Sequence, residues 1–322
     1  MTQALTVTAP LTISDDIDVR GIVSDWSTAL QRRAGSGELA ASTTLTYKRG
    51  LHRFMRWCDE RQVQSVNDDV LRDWLTELNE SYSPAAVNTW LAGVRAFFVW
   101  AVGAGRISHN PAAGVRAPKR RGTSQHHKRQ ALTDDEVVRV MNAPDPLTVE
   151  GVRNRAILAL MAYNGARSVE VRRFDVKSVR THNGQMVVDV HGKGRAESDE
   201  VMVVCHPDAI AALHDWLAER KRCRCDGAAL FVSLSRRSYC GRLSLRHIRH
   251  LVKSYYDLAG VVGEGKTTHS LRHSCASNML RNGAPLQKVQ SAMRHANINT
   301  TMIYAHELDR LANPAEAFVA YS

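Results

Sequence analysis

The chain has 322 residues, and its 43 lysines and arginines outnumber 32 aspartates and glutamates, which gives a formal net charge of +11 and a pI near 9.6. This length suits two domains that each bury a core, and the positive charge suits an anionic partner, with nucleic acid as the first candidate. A merely basic soluble protein would show the same balance. The longest apolar run near the middle, Ala156 to Tyr163, is too short to span a bilayer. The N-terminal segment carries Asp15, Asp16 and Asp18 and no early basic region, which argues against a signal peptide.

The cysteines indicate a reduced protein. Their spacing shows no disulfide framework, and Cys223 and Cys225 lack a second matching pair, which argues against a zinc site. The other four are Cys58, Cys205, Cys240 and Cys275. We therefore expect a cytoplasmic protein with no membrane segment, no metal and no cofactor.

Residues 1–20 are predicted to be a loose leader, and residues 21–116 are predicted to be a helical domain. Apolar residues recur at helical spacing in four stretches, and these side chains are most simply core. Ser42-Thr43-Thr44 and Ser83 are predicted N-caps, the latter with Pro84 in the first turn. The four stripes are Ile22, Trp26 and Leu30; Tyr47, Leu51, Phe54 and Trp57; Val70, Leu71, Trp74 and Leu75; and Val87, Trp90, Leu91, Val94, Phe97 and Phe98.

Residues 117–130, with the sequence APKRRGTSQHHKRQ, are predicted to be a linker because they combine Pro, Gly and Ser with basic residues and almost no apolar side chain. Two interpretations are open at this point. The segment is either a solvated basic loop or a strap that follows DNA phosphates.

Residues 131–322 are predicted to form the second domain. Thr133 caps its first helix, and a strongly apolar helix from Arg153 to Tyr163 ends at Asn164-Gly165. Arg167 follows this turn. Glu170, three residues further on, either holds the Arg167 guanidinium in place or forms an ordinary local ion pair.

Two strands and two helices come next. Gln185–His191 and Glu200–Cys205 are predicted strands around the turn Gly192-Lys193-Gly194, where a basic residue is normally an exposed hairpin tip. Helices are predicted over Pro207–Arg220 and after Leu243-Ser244. The second helix exposes basic residues that either lie on DNA or are simply solvated. These are Arg246, Arg249 and Lys253.

The stretch from Thr267 to His306 carries the most distinctive pattern: His269-x-x-Arg272-His273, then Arg294-His295, then Tyr304. Taken singly, a histidine near an apolar helix face or a tyrosine near a C-terminus is more often packed or exposed than catalytic. The joint arrangement is what is specific.

This arrangement resembles the C-terminal pattern of the tyrosine recombinase (phage integrase) family, in which H-x-x-R precedes a His or Trp and then a Tyr nine residues on. His295 and Tyr304 have that spacing. The segment around Arg167 resembles the family's first arginine box, although Asn164 and Ala166 depart from the usual Thr and Leu. The resemblance implies a mainly α fold with a small antiparallel β-sheet: an N-terminal helical core-binding (SAM-like) domain and a C-terminal α+β catalytic domain.

The resemblance also implies a chemistry and a set of catalytic residues. Tyr304 attacks a DNA phosphodiester, two guanidiniums clamp the non-bridging oxygens, a histidine accepts the tyrosine proton, and a lysine protonates the leaving 5′ oxygen. The implied catalytic residues are Tyr304, Arg167, Lys193, His269, Arg272 and His295, with Arg195 as a rival to Lys193, and with His273 and His306 as hydrogen-bonding neighbours. Neither metal nor ATP is required, because arginines supply the positive charge and the covalent link keeps the bond energy.

The implied partners are a double-stranded DNA site with inverted repeats and a homotetramer that passes through a Holliday junction. The C-terminal tail either packs on its own domain or is exchanged with a neighbouring subunit. The resemblance favours the strap interpretation of the linker, with Lys119, Arg120 and Arg121 on phosphates. An accessory DNA-bending or directionality protein is compatible with this scheme.

Two alternatives accompany this interpretation. A type IB topoisomerase-like enzyme uses the same chemistry but reseals the same strand to relax DNA. A DNA-binding protein that has lost catalysis is the other, and the presence of all six implied catalytic residues argues against it.

Overall fold

A computed structural model describes residues 12–13, 17–116, 130–190, 200–263, 265–295 and 297–305 of the chain. The chain divides into two compact units, Met1–Thr123 and Ser124–Ser322. Several predictions fall outside the described residues: the linker residues Lys119, Arg120 and Arg121, the hairpin residues Lys193 and Arg195, and the tail that includes His306. These stay predictions.

The described part of the first unit contains four helices: α1 Val19–Gly35, α2 Ala41–Glu60, α3 Asp68–Ser81 and α4 Pro84–Gly103. Two glycines allow α2 and α4 to cross closely. A Cβ atom on Gly50 would lie 2.4 Å from the Trp90 carbonyl oxygen, and one on Gly93 would lie 2.4 Å from that of Tyr47. The predicted apolar stripes converge here, and Trp26 packs edge-on against Phe97 with ring centroids 5.4 Å apart.

The predicted leader is wrong for part of residues 1–20. Strand β1, Thr12–Ile13, pairs antiparallel with β2, Ile17–Asp18, and parallel with β3, Ser65–Val66, while α1 already begins at Val19. Two-residue strands are too short to produce a periodic pattern, so the sequence carries no signal for them. The predicted cap of α2 is also displaced, because the helix begins at Ala41 with Ala40 as its N-cap.

Helix α4 is long and apolar enough to cross a membrane by length and composition alone. Its packing is that of a core helix in a bundle. Val87, Leu91, Val94, Phe97 and Phe98 are fully buried against the other helices of the same unit. Ser83 caps this helix and Pro84 is its first residue, as predicted.

The described part of the second unit contains the helices α5 Asp134–Asn142, α6 Val149–Tyr163, α7 Ser168–Arg173, α8 Pro207–Arg222, α9 Leu245–Leu258, α10 Ser270–Arg281, α11 Leu286–Met293 and α12 Asn299–Ala305. Residues Ala156 to Leu160 of α6 are completely buried, and this helix packs against α8 and α10. Thr133 caps α5 in a reciprocal capping box with Glu136, which confirms the predicted start of this unit's first helix.

A three-stranded antiparallel sheet lies beside these helices in the order β4 Val179–His182, β5 Gln185–Val190 and β6 Glu200–Val204. Val188 is paired with Met202 and with Val179. The two predicted strands are confirmed. The sequence missed β4, since this short strand is largely exposed and lacks apolar alternation. The predicted fold class is confirmed.

The expectation that no disulfide is present is wrong. Cys225 and Cys240 form a disulfide, with Cα atoms 5.2 Å apart, while Cys58, Cys205, Cys223 and Cys275 are free. The loop after α8 folds back on itself, and the Cys240 amide donates to the Ser233 carbonyl at 2.9 Å. Cysteine spacing along the chain carries no information about this contact.

Candidate active site

The turn after α6 positions the first arginine of the site. Gly165 has a φ of +60°, which favours glycine, and a Cβ atom there would lie 2.6 Å from Met293 Cε. The end of α11 therefore packs directly on this turn. Arg167 follows as the N-cap residue of α7.

Arg167 is held from two sides. Its Nη1 donates to Glu170 Oε1 at 2.6 Å and its main-chain amide donates to Glu170 Oε2 at 2.8 Å. Its Nη2 donates to the Arg294 carbonyl at 2.9 Å. The Glu170 side chain is 7% exposed and that of Arg167 is 33% exposed, so Glu170 is an internal anchor and the arginine is only partly covered. The prediction that Glu170 holds this guanidinium agrees with the geometry.

Arg272, in the first turn of α10, supplies the second guanidinium of the site. The residue is 4% exposed and donates to the carbonyls of Gly165 and Met293, which joins α10 to the glycine turn and to the end of α11. Burial, together with the charge of Arg167, lowers the pKa of Arg272 to about 10. Arg272 therefore remains protonated at neutral pH.

His269 is the N-cap residue of α10 and lies at the mouth of this region, half-buried. Its amide donates to Thr267 Oγ1 at 3.2 Å. The start of α10 is fixed further by Ser274, whose hydroxyl accepts from the Leu132 amide and donates to the Leu132 carbonyl at 3.1 Å. The His269 backbone is thus placed by a well-anchored helix start.

The turn between α11 and α12 carries Arg294 and His295. Arg294 has a φ of 53° and a ψ of 50°, a left-handed conformation that costs a non-glycine residue about 1–2 kcal/mol. His295 Nδ1 is 2.9 Å from Thr301 Oγ1, and the residue is 9% exposed. Burial, with the charges of Arg272 and Arg167, lowers the pKa of His295 to about 4, so the imidazole is neutral at pH 7.

Tyr304, on α12, is 7% exposed and lies between two histidines. Its ring stacks on His295 with centroids 5.8 Å apart and planes at 16°. His273 meets the same ring edge-on, with centroids 4.6 Å apart and planes at 79°. Helix α10 and the turn between α11 and α12 therefore hold the tyrosine from both sides.

These side chains surround one cavity of about 170 Å³. Five of the six predicted catalytic residues meet there, and the sixth, Lys193, lies outside the described residues. The lining residues are Arg167, His269, Arg272, His273, His295, Thr300 and Tyr304. The arrangement offers two guanidiniums, three imidazoles and a phenol at one opening, which suits the binding of a phosphate group next to a hydroxyl nucleophile.

Two participants were not assigned by sequence reasoning. His273 had no role beyond a neighbour, although it is 3% exposed and packs on Tyr304. Arg294 had no role at all, yet its side chain is 3% exposed and its Nη2 donates to Glu170 Oε2 at 2.9 Å. The sequence signal for Arg294 is its position directly after the end of a helix, where glycine is the usual residue.

Comparison with protein families gives two matches. Residues 130–310 match the phage integrase family, and residues 33–105 match the phage integrase N-terminal SAM-like domain. Among curated relatives, the chain is 28% identical over 293 residues to tyrosine recombinase XerD of Lacticaseibacillus casei, covering 89% of this chain and 94% of the relative. It is 32% identical over 268 residues to tyrosine recombinase XerC of Shewanella amazonensis, covering 83% of this chain and 86% of the relative.

Solved structures show the same fold. The XerH site-specific recombinase bound to palindromic difH substrate, a post-cleavage complex, has a TM-score of 0.71 at 20% identity and covers 91% of this chain and 84% of its own. A lambda integrase tetramer bound to a Holliday junction has a TM-score of 0.64 at 17% identity, and the match covers 89% of this chain and 76% of the integrase chain. The chain therefore belongs to the phage integrase family and is a site-specific tyrosine recombinase.

Proposed function

We propose that this recombinase cleaves double-stranded DNA by attack of the Tyr304 hydroxyl on a phosphodiester, which leaves a 3′-phosphotyrosyl link and a free 5′ hydroxyl. One observation carries the proposal: Tyr304 lines the same cavity as Arg167, Arg272, His269 and His295. A hydroxyl of a partner strand then attacks the phosphotyrosine, which releases Tyr304 and reseals the DNA in a recombinant arrangement.

The arginines act on the phosphate charge. A phosphodiester repels nucleophiles, and its pentacoordinate transition state gains negative charge on the non-bridging oxygens. Arg167 and Arg272 clamp these oxygens with charge-assisted hydrogen bonds from fixed guanidiniums. Their anchoring to Glu170, Gly165 and Met293 supports this role, because preorganised donors need not rearrange during the reaction.

The remaining residues handle protons and orientation. A tyrosine in water has a pKa of about 10 and is mostly protonated at neutral pH, so Tyr304 needs a proton acceptor, and His269 takes that role. Neutral His295 donates a hydrogen bond to the scissile phosphate, and Lys193 protonates the leaving 5′ oxygen. His273 positions the Tyr304 ring through the edge-on contact.

The proposed assembly is a homotetramer on a site with inverted repeats, passing through a Holliday junction. This assembly is supported by two proteins of the same fold, the DNA-bound XerH and the lambda integrase tetramer on a Holliday junction. Exchange of the C-terminal tail between subunits and strapping of residues 117–130 along the DNA belong to the same proposal. The site of action is the cytoplasm, where the DNA lies, and an accessory protein is compatible.

A trapping experiment tests the cleavage step. A pool of nicked duplexes with randomised inverted repeats around a short spacer is mixed with the protein, and the covalent complex is recovered under denaturing conditions and sequenced. We expect a complex that Tyr304→Phe abolishes and that Tyr239→Phe, at an exposed tyrosine of the same unit, leaves unchanged. A complex that persists in Tyr304→Phe contradicts the proposal.

A second assay separates the recombinase from a topoisomerase-like enzyme. Two labelled duplexes that carry the recovered sequence are incubated with the protein, and exchange between them is followed. Strand exchange supports the recombinase, whereas relaxation of supercoiled DNA without exchange supports the alternative. The helical N-terminal unit favours the first outcome.

A further inference from the structure

Arg294 lies behind the cavity wall, in contact with the residues that hold Arg167. Its Nη2 donates to Glu170 Oε2 at 2.9 Å, and its Nη1 donates to the Ala292 carbonyl at 2.7 Å. Its side chain is 3% exposed, so this is a buried charge with a buried partner. Such a charge is costly to bury unless its partner is well placed.

Arg294 touches Arg167 by two routes. The first is the shared carboxylate, because Glu170 accepts from the guanidiniums of both arginines. The second is the main chain, because the Arg294 carbonyl accepts from Arg167 Nη2 at 2.9 Å. The Arg167 guanidinium donates to the Glu170 carboxylate and to the Arg294 carbonyl. A displacement of Arg294 would therefore move both of these acceptors and, with them, Arg167.

The charge balance of this cluster depends on Arg294. The Glu170 carboxylate pairs with the guanidiniums of Arg167 and Arg294, and its charge also acts on the nearby guanidinium of Arg272. Without Arg294, the Glu170 charge would be opposed chiefly by Arg167, the residue that faces the cavity. The positive potential at the cavity would then fall at the place where a phosphate needs it.

The backbone supports the same conclusion. Arg294 adopts a left-handed conformation that glycine would adopt without strain. An arginine at such a position indicates that its side chain contributes something that offsets the backbone cost. The contact with Glu170 is the contribution that the structure shows.

We infer that Arg294 is a positioning residue of the cleavage site: its guanidinium takes up the Glu170 carboxylate, so that Glu170 anchors Arg167 without neutralising it. The inference rests on the proposed cleavage of DNA by Tyr304. Arg294 acts through Arg167 and does not itself touch the phosphate.

Charge replacement tests this role. Single-turnover cleavage and equilibrium binding are measured on the nicked duplex recovered by covalent capture, for Arg294→Gly, Arg294→Met, Arg294→Lys, Glu170→Gln and the double variant Arg294→Gly/Glu170→Gln. Arg294→Gly and Arg294→Met should lower the cleavage rate by about 10- to 100-fold while binding changes by less than about threefold. Arg294→Lys should fall between these variants and the wild type.

The double variant is the decisive arm. Removal of both charges restores the balance, so it should cleave at least about fivefold faster than Arg294→Gly. Because the double variant also relieves a buried carboxylate that has lost its second partner, the two rates are compared per folded molecule, with the folded fractions taken from urea denaturation curves. A rescue of folding alone would leave this ratio of rates close to one. Arg281→Met, at an exposed arginine paired with Asp134, serves as the control and should cleave like the wild type.

The outcomes separate the two levels of the argument. If the wild type forms no Tyr304-dependent covalent complex, the proposed function is overturned and the inference with it. If the wild type cleaves, but Arg294→Gly and Arg294→Met cleave within about threefold of it, or the double variant shows no rescue, only the role of Arg294 is overturned.

Discussion

His295 stacks on Tyr304 with ring centroids 5.8 Å apart, while its Nδ1 is 2.9 Å from Thr301 Oγ1. The hydrogen bond fixes the imidazole and the stacking fixes the phenol, so His295, in the turn before α12, and Tyr304, within α12, are held as one unit. Both residues line the same cavity, and the same short helix orients them there.

The first prediction follows from the lowered pKa of His295. Its pKa is about 4 in the folded chain and about 6.5 in a model peptide, so the unfolded chain takes up a proton that the folded chain refuses. His295 therefore favours folding above about pH 6.5, and this contribution is lost as the pH falls towards 4. The free energy of unfolding, measured by urea denaturation, should fall in both proteins as the pH is lowered from about 7.5 to 4.5. We expect this fall to be smaller in His295→Gln than in the wild type, by roughly 2 kcal/mol.

The control for this prediction is His214→Gln, because His214 is an exposed histidine on α8 of the same unit. Its pH dependence should follow that of the wild type. Parallel curves for His295→Gln and the wild type would show that His295 titrates normally in the folded chain.

The second prediction concerns the glycine turn. Gly165→Ala should lower the free energy of unfolding by roughly 2–3 kcal/mol, because alanine is strained at a φ of +60° and its Cβ would meet Met293. Gly184→Ala is the matched control, since Gly184 has a φ of +76° but nothing within 4 Å of the added atom. It should lose only the backbone part, about 1–2 kcal/mol. Equal losses for both variants would show that the Met293 contact is unimportant.

Much of the fold and of the site followed from the sequence, because the relevant signals are local. Ser83 and Thr133 cap the helices that they were predicted to cap, and His295 and Tyr304, nine residues apart as in the family pattern, line one cavity. The tertiary contacts did not follow. The Arg294 ion pair joins residues 124 positions apart, and the Cys225–Cys240 disulfide depends on how a loop folds back. No residue pattern along the chain encodes such contacts.

The third prediction tests the Arg272 clamp. Arg272→Lys keeps a positive charge but cannot donate to both Gly165 and Met293 while also presenting a planar fork to a phosphate. We expect single-turnover cleavage to fall by at least about 100-fold, with DNA binding nearly unchanged. Arg281→Lys, at the exposed end of the same helix, should cleave normally. Cleavage by Arg272→Lys close to the wild-type rate would remove Arg272 from the proposed clamp.

The fourth prediction concerns the disulfide. A disulfide that closes a loop of this length is expected to raise the free energy of unfolding by about 3 kcal/mol. Reduction should therefore lower the free energy of unfolding of the second unit by about that amount. Cys225→Ser should have a similar loss and no further response to a reductant, while Cys205→Ser, at an exposed free thiol, should respond like the wild type. Mass spectrometry after alkylation should find four modified cysteines before reduction and six after it. Six modified cysteines in protein purified without reductant would refute the disulfide.

The last prediction concerns the basic linker. If Lys119, Arg120 and Arg121 each contact a DNA phosphate, the triple alanine variant should lower the slope of log K against log salt by up to about 3, since each contact contributes about 0.9. The measurement uses a duplex of arbitrary sequence between about 50 and 200 mM salt, because this part of the affinity does not depend on sequence. The charge-conserving swap Lys119→Arg, Arg120→Lys, Arg121→Lys is the matched control and should keep the wild-type slope. A triple alanine variant with that same slope would mean that the linker is a solvated loop, because lost phosphate contacts cannot leave counterion release unchanged.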